Sequence, residues 1–525
     1  MNLGELLREH ASLRPEAAAI IESRDGVDRI LTFAELEHSS GQGAALLRQQ
    51  GLRAGDFALV LQPMSATLYS VLISLFRLGA IPMFLDPGLG RAHVERCCEI
   101  RSPAVFIGPA RAHFLRLCCR SLRRIPIKFS TSARMPGAVS WSTVNGIAKD
   151  DTLHPSTMES PALLTFTTGS TGEPKAALRT HGFLLAQREV LVEHLRLEPG
   201  EVDLTTLPVF LLANLAAGVT SVIPDADLRR PGAIDPRPVL RQIEKHRITR
   251  TAASPAFIER LLHGCRETGA SLKSFRKIHT GGAPVLPGLL DRIRGLAPNA
   301  DVTAVYGSTE AEPIALIEQT EMEKADREEM LEGRGLPVGK PIAGINLRVI
   351  RDQWGTALGR LEASAFAALC LPPGSAGEIV VNGRHVLPGY LDGRGDDETK
   401  FHVNGTVWHR TGDAGYLDSR GRLWLLGRCS ARIDDPHGVL YPFSVECVAR
   451  SCPGVSHAAM ISHRGCRMLV VEADDASARL TEMLNRRLDW ACIDEIRYIR
   501  RIPLDTRHNA KIDYPALKRL LQPSR

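Results

Sequence analysis

Short apolar runs alternate with amphipathic stretches of helical spacing through most of the chain. Asp56–Gln62 (DFALVLQ) reads as a strand and Ser65–Gly79 as a helix. Ile81–Leu85 reads as a strand, Arg91–Ile100 as a helix and Pro103–Ile107 as a further strand. The rhythm returns downstream. His181–Leu195 is helical, Glu201–Leu207 extended and Pro238–His246 helical, and Thr249–Ala253, Lys277–Thr280 and Thr303–Val305 read as short buried strands. Strand runs alternating with helical ones predict mostly parallel sheets covered by helices. Leu68–Leu78 (LYSVLISLFRL) is apolar but contains Arg77 and is too short to cross a bilayer, so it predicts a buried helix. The opening MNLGELLREHASLRPEA predicts an amphipathic helix and lacks the layout of a signal peptide.

Near Gly377 the texture changes. GEIVVNG and GYLDSRGRLWLLGR predict antiparallel hairpins closed by glycine turns. After Arg428 a new small α/β unit begins, with the turn at Gly427–Ala431 as its boundary. The expected fold class is α/β. Residues 1–427 would form a large N-terminal domain of stacked α/β subdomains with a small β-barrel-like section. Residues 428–525 would form a small, mobile C-terminal α+β lid.

Composition changes this picture little. Of 525 residues, 44% are hydrophobic and 24% charged, the balance of a soluble globular chain. The net charge of +6 is modest, and the basic run Ser121–Lys128 (SLRRIPIK) reads as a solvated face beside a strand, not as a contact for nucleic acid or membrane. Eleven cysteines include the neighbours Cys97/Cys98 and Cys118/Cys119, but none has CxxC spacing with histidine partners, which argues against zinc. Reduced thiols and a cytoplasmic location are expected. No apolar run has the length of a membrane span.

The candidate chemistry begins at LTFTTGSTGEPKAALRTHG, Leu164–Gly182. Glycines with hydroxyl side chains suit a backbone that approaches an anion closely, and Lys175 adds a point charge. The loop is not a Walker A sequence, because Glu173 and Pro174 separate its last glycine from the lysine. Downstream, in order, come GGAP (Gly281–Pro284), YGSTE (Tyr306–Glu310), TGD (Thr411–Asp413), GR (Gly427–Arg428) and RHNAKI (Arg507–Ile512).

This ordered set resembles the adenylate-forming superfamily of AMP-dependent synthetases and ligases, from about Leu31 to the C-terminus. The resemblance implies ATP and Mg2+ as cofactors and a small carboxylic acid as substrate. It maps the phosphate loop onto Thr167, Thr168, Gly169, Ser170, Thr171, Gly172 and Lys175. Gly281, Gly282, Ala283 and Pro284 would lie along the adenine and Tyr306, followed by Gly307, would stack on it. Thr309 would bind the α-phosphate and Glu310 would hold magnesium. Asp413 would accept both ribose hydroxyls, beside Arg428. Lys511 would be the catalytic lysine that bridges substrate carboxylate and α-phosphate. Two anions must meet for a carboxylate to attack the α-phosphorus, so cations placed in advance offset their repulsion.

Departures narrow the substrate. Leu211 stands where many acyl-CoA ligases resemble one another in a histidine, and no acid lies between Pro208 and Pro224 to pair with an amino acid's ammonium. An apolar, fatty-type acid is therefore expected. Ala431 replaces a hinge aspartate of many relatives, and Ala304–Val305 replaces an asparagine near the adenine. TSVIPDADLRRP, YGSTEAEPIA, WHRTGDAGYLD and PLDTRHNAKI look like the β-lactone synthetases of bacterial olefin biosynthesis. That likeness implies attack of the acid's own 3-hydroxyl on the adenylate, giving a β-lactone and AMP. His409 is a candidate for assisting the hydroxyl, against an ordinary turn histidine. The alternatives are a fatty acyl-CoA ligase, which alone would need CoA, acyl transfer to an amine or carrier protein, and a silent nucleotide- or acyl-binding homologue. Pathway enzymes are possible partners; nucleic acid is not expected.

Overall fold

The helix Ala66–Leu78 carries out what its sequence predicts. Ser65 accepts a hydrogen bond from the Leu68 amide, and Gly79 closes the helix in the left-handed conformation. Every residue except Thr67 is buried. Arg77 is fully enclosed, and its guanidinium donates to Glu37 at 2.6 Å and to the Asp150 carbonyl at 2.7 Å. A buried cation without such partners would destabilise the fold by several kcal/mol, roughly 3–5. The computed structural model describes residues 2–24, 26–504 without 169–172, and 512–522, with only the backbone of Thr168.

Two units organise the chain. The first comprises Met1–Asp225, His246–Arg250 and Leu387–Asp396. Its seven-stranded sheet runs in the order Val139–Ser140, Ile127–Ser130, Val105–Gly108, Phe57–Val60, Ile81–Phe84, Pro161–Thr168, Pro174–Thr180. All pairings are parallel except the last. A second parallel group joins Val202–Thr205, Thr220–Ile223 and Ala18–Arg24, with Val27–Thr32 added antiparallel. The core gathers Tyr69, Leu72, Phe76, Val105, Phe129 and Leu211. The opening segment is the helix Leu3–Leu13, closed at its start by an Asn2–Glu5 capping box.

The second unit comprises Ala226–Lys245, Thr251–Val386 and Asp397–Arg525. Here Lys277–Gly281 runs parallel to Asp301–Ser308, which turns back into Ala311–Glu318. Antiparallel pairing then links Ala311–Glu318, Leu336–Pro341, Leu423–Arg428, Thr406–Leu417, Gly377–Gly383 and Ile345–Ile350. Of the hairpins expected near Gly377, GYLDSRGRLWLLGR forms one, whereas GEIVVNG pairs antiparallel with the sequence-distant strands Ile345–Ile350 and Thr406–Leu417. Beyond Arg428 lie the helix Pro442–Arg450 and a three-stranded sheet of Val455–His463, Cys466–Ala473 and Glu495–Ile499, packed on the helix Ala478–Arg487.

Two differences from the sequence reading matter. The strand expected at Thr303–Val305 runs on to Ser308, so Tyr306–Ser308 sit on a strand end. The hydroxyl-rich loop is bracketed by a hairpin, Pro161–Thr168 against Pro174–Thr180, with Thr167 opposite Lys175. Ladder partners across a loop leave no trace in periodicity.

Candidate active site

The strand Asp301–Ser308 delivers Tyr306 to Asp413, which lies on Thr406–Leu417. The Tyr306 hydroxyl donates to Asp413 Oδ2 at 2.8 Å. Loss of solvent, then the Asp413 charge, push the phenol well above its ordinary pKa, so it stays a donor. On the next strand Arg428 lies directly opposite Asp413, and its Nη1 is 3.2 Å from Asp413 Oδ1. The same nitrogen donates to the Thr411 carbonyl at 3.2 Å. Asp413 is the largest influence raising the Arg428 pKa, and Tyr306 and Glu310 add to it. The Arg428 side chain remains 50% exposed and that of Asp413 20% exposed, so the cluster keeps an open side.

The backbone beneath is tightly determined. Gly412 has φ 71, and a Cβ there would stand 2.9 Å from the Trp354 ring. The Asp413 amide donates to Thr411 Oγ1, which in turn donates to the Ile379 carbonyl. Below them Arg410 grips Glu378 through two bonds of 2.7 and 2.6 Å, both side chains fully enclosed, and lies over Trp354. Along the neighbouring strand Gly281 faces Val305, and a Cβ on Gly281 would stand 2.5 Å from the Val305 carbonyl oxygen. GGAP thus begins where backbone meets backbone. Thr280 Oγ1 and Ser308 Oγ, at the ends of these two strands, are buried without a hydrogen-bond partner among the described residues. Thr309 and Glu310 form the turn that follows, Thr309 exposed and Glu310 half-buried.

In the first unit Lys175 is the second residue of the strand Pro174–Thr180 and is buried; its ammonium lies 5.7 Å from the Tyr390 ring centroid. Its stem packs against Gly395, where a Cβ would come within 2.7 Å.

Comparison with known proteins decides the family. Residues 7–391 match the AMP-binding enzyme family. The chain belongs to that family. The olefin β-lactone synthetase of Stenotrophomonas maltophilia (strain K279a) is 31% identical over 97% of this chain and 96% of its own. An indoleacetate–CoA ligase of Aromatoleum aromaticum is 27% identical over 88% of this chain and 85% of its own. The solved amide bond synthetase of Marinactinospora thermotolerans superposes with a TM-score of 0.79 at 21% identity, covering 99% of this chain and 100% of that one, and shares the fold.

In this AMP-binding enzyme, the structure draws together Tyr306, Asp413 and Arg428, with Gly281 at the end of the strand beside Tyr306 and Gly282 in the bend that follows. Gly169, Ser170, Thr171, Gly172 and Lys511 lie outside the described residues, as does the side chain of Thr168. His409 is not in a turn: it is buried on Thr406–Leu417, with Nδ1 3.1 Å from the Thr399 carbonyl and 3.2 Å from Lys400 Nζ. Leu211 is fully buried in the helix Pro208–Ala217. Near that helix the buried carboxylate of Asp203 is engaged by Asn214 at 2.9 Å, Thr205 at 2.5 Å and Arg250 at 3.4 Å. The sequence reading passed over Arg410 and Glu378. Their only signal was a charged residue inside an otherwise apolar strand, GEIVVNG. No helix among the described residues is long and apolar enough to cross a membrane, and all eleven cysteines are unpaired.

Proposed function

We propose that this enzyme joins an apolar carboxylic acid to ATP as an acyl adenylate, releasing pyrophosphate, and that the acid's own 3-hydroxyl then closes a β-lactone and releases AMP. The observation that carries this reading is the 31% identity to an olefin β-lactone synthetase along nearly the whole chain.

The Asp413 carboxylate supports it chemically. One oxygen accepts from Tyr306 and the other faces Arg428, and each retains lone-pair capacity for a ribose hydroxyl. The fixed donor of Tyr306 and the guanidinium of Arg428 hold the Asp413 carboxylate oriented, so no reorganisation is needed when nucleotide binds. The Tyr306 ring and Gly281–Pro284 would flank the base. Thr309 and the Thr167–Lys175 loop would bind phosphates. Magnesium fits the donor set: no group of three ligands gathers among the described residues, and one carboxylate, Glu310, shared with phosphate oxygens and water suits that ion. Bound there, magnesium would neutralise charge on the leaving pyrophosphate. Lys511, carried by a lid of residues 428–525, would bridge carboxylate and α-phosphate. In the second step a tethered hydroxyl reacts at high effective molarity, provided water is kept out. Asp203, already bonded to Arg250, Thr205 and Asn214, offers no anchor for a charged amine, which favours an apolar acid.

The likeness to a CoA ligase supports a second reading, thioester formation with CoA. Incubation with ATP, Mg2+ and a 2-alkyl-3-hydroxy fatty acid separates the two. AMP and lactone formed without CoA are expected; strict dependence on CoA would overturn the lactone reading and leave adenylation standing.

A further inference from the structure

Between Glu99 and Asp150 the chain contains no acidic residue. The structure places the middle of this stretch on the surface of the first unit, as three short consecutive helices, Ala110–His113, Leu115–Cys118 and Arg120–Arg124. Phe114, between the first two, keeps helical angles. Positions 111, 114, 117 and 118 therefore follow one helical face, and all four are exposed. Two of them are large and apolar: Phe114 is 60% and Leu117 77% exposed. Arg111 lies on the same face, and beyond the extended Cys119 the next helix carries Arg120, Arg123 and Arg124; all four are exposed and without a side-chain ion pair among the described residues. The opposite face is ordinary core: Ala112, Cys119 and Leu122 are buried with Phe106 and Cys98. The Glu95 carboxylate is occupied by the backbone amides of Arg120 and Ser121 and by the Ser121 hydroxyl.

An exposed apolar pair in a stretch whose exposed charges are all arginines is poorly explained as a solvated face, since a water-facing surface gains nothing from exposed phenylalanine and leucine. It matches what a negatively charged lipid surface offers: acyl boundary for Phe114 and Leu117, headgroup phosphates for the guanidinium groups. A nucleic-acid strand would use the arginines but leaves Leu117 unexplained. We propose that this face, centred on Phe114 and Leu117, docks the enzyme peripherally on membranes rich in anionic phospholipid. The surface stands independently of the adenylation reading, although an enzyme of fatty-type acids gains from working beside the phase where they dissolve.

Co-sedimentation of the full chain with vesicles tests it. Retention is expected on phosphatidylglycerol-containing phosphatidylcholine vesicles, weak retention on phosphatidylcholine alone, and release by salt. Each surface arginine contributes roughly a fivefold factor, so R120A/R123A/R124A should bind anionic vesicles about a hundredfold more weakly. F114S/L117S should lose about tenfold or more while remaining responsive to anionic lipid. Both variants should keep their circular dichroism and their AMP release on detergent-dispersed acid. Equal binding to neutral and anionic vesicles would overturn the proposal, as would no retention at all. Binding of a single-stranded oligonucleotide through the same arginines, without vesicle retention, would overturn it in favour of nucleic acid.

Discussion

Two arginine–carboxylate pairs share the strand Thr406–Leu417, and they differ in access to water and in how tightly the partners grip each other. Arg410 and Glu378 are both fully enclosed and joined by two short bonds. Asp413 and Arg428 meet through one 3.2 Å contact, with the arginine side chain half exposed. A sealed pair has spent its hydrogen-bonding capacity within the protein, here on itself and on the Thr356 carbonyl, and can only hold the strand in place. An open pair keeps lone pairs and a charge facing outward, which is what recognition of a diol or phosphate needs. On the proposed reading, neighbouring residues of one motif, WHRTGD, divide support from binding.

The sharpest break in this comparison is E378A. It strands the buried Arg410 charge and should cost about 3–5 kcal/mol of stability, read by denaturant unfolding, whereas replacing both partners by apolar residues should cost much less. A third carboxylate sharpens the contrast. Glu446 is buried, makes no ion pair among the described residues, and accepts from the Tyr514 hydroxyl at 2.6 Å and the Met460 amide at 3.0 Å. Burial lifts its carboxyl from 4.5 to about 7. Between those values the folded chain holds a proton that the unfolded chain has released, so this group's stabilising contribution is complete below about 4.5 and is lost as pH rises through about 7. E446Q should remove that slope and exceed the parent above pH 7 by up to about 3 kcal/mol, seen in unfolding curves across pH. Next comes D413N, which should fold normally yet bind ATP about a hundredfold more weakly in titration calorimetry, the loss expected when charged hydrogen bonds of roughly 1.5–3 kcal/mol are weakened. The smallest effect belongs to Y306F. It keeps the ring and loses one donor, about 1 kcal/mol, or roughly a fivefold rise in the KM for ATP.

Much of this was legible in the sequence because the recognisable residues lie at strand ends and turns whose local chemistry is short-ranged. Gly412 needs its left-handed φ, Gly281 its close approach to Val305, and both stand in motifs a reader meets intact. The βαβ rhythm likewise gave the parallel sheet of the first unit. What periodicity does not carry is pairing at a distance. Tyr306 reaches Asp413 across 107 residues, and only the order of motifs suggested that they meet. Arg410 and Glu378 face each other across strands whose register no local pattern encodes, so their burial was invisible. The run SLRRIPIK was read as a solvated face because its charge is local, whereas the exposure of Phe114 and Leu117 depends on which side the core took.

Exchange of labelled pyrophosphate into ATP, driven by a 3-hydroxy fatty acid without CoA, tests the central claim that the open pair serves nucleotide and acid activation. The parent enzyme should exchange only when the acid is present, and D413N, still folded, should lose most of that exchange. Undiminished exchange in D413N, or no acid-dependent exchange in the parent, would contradict it.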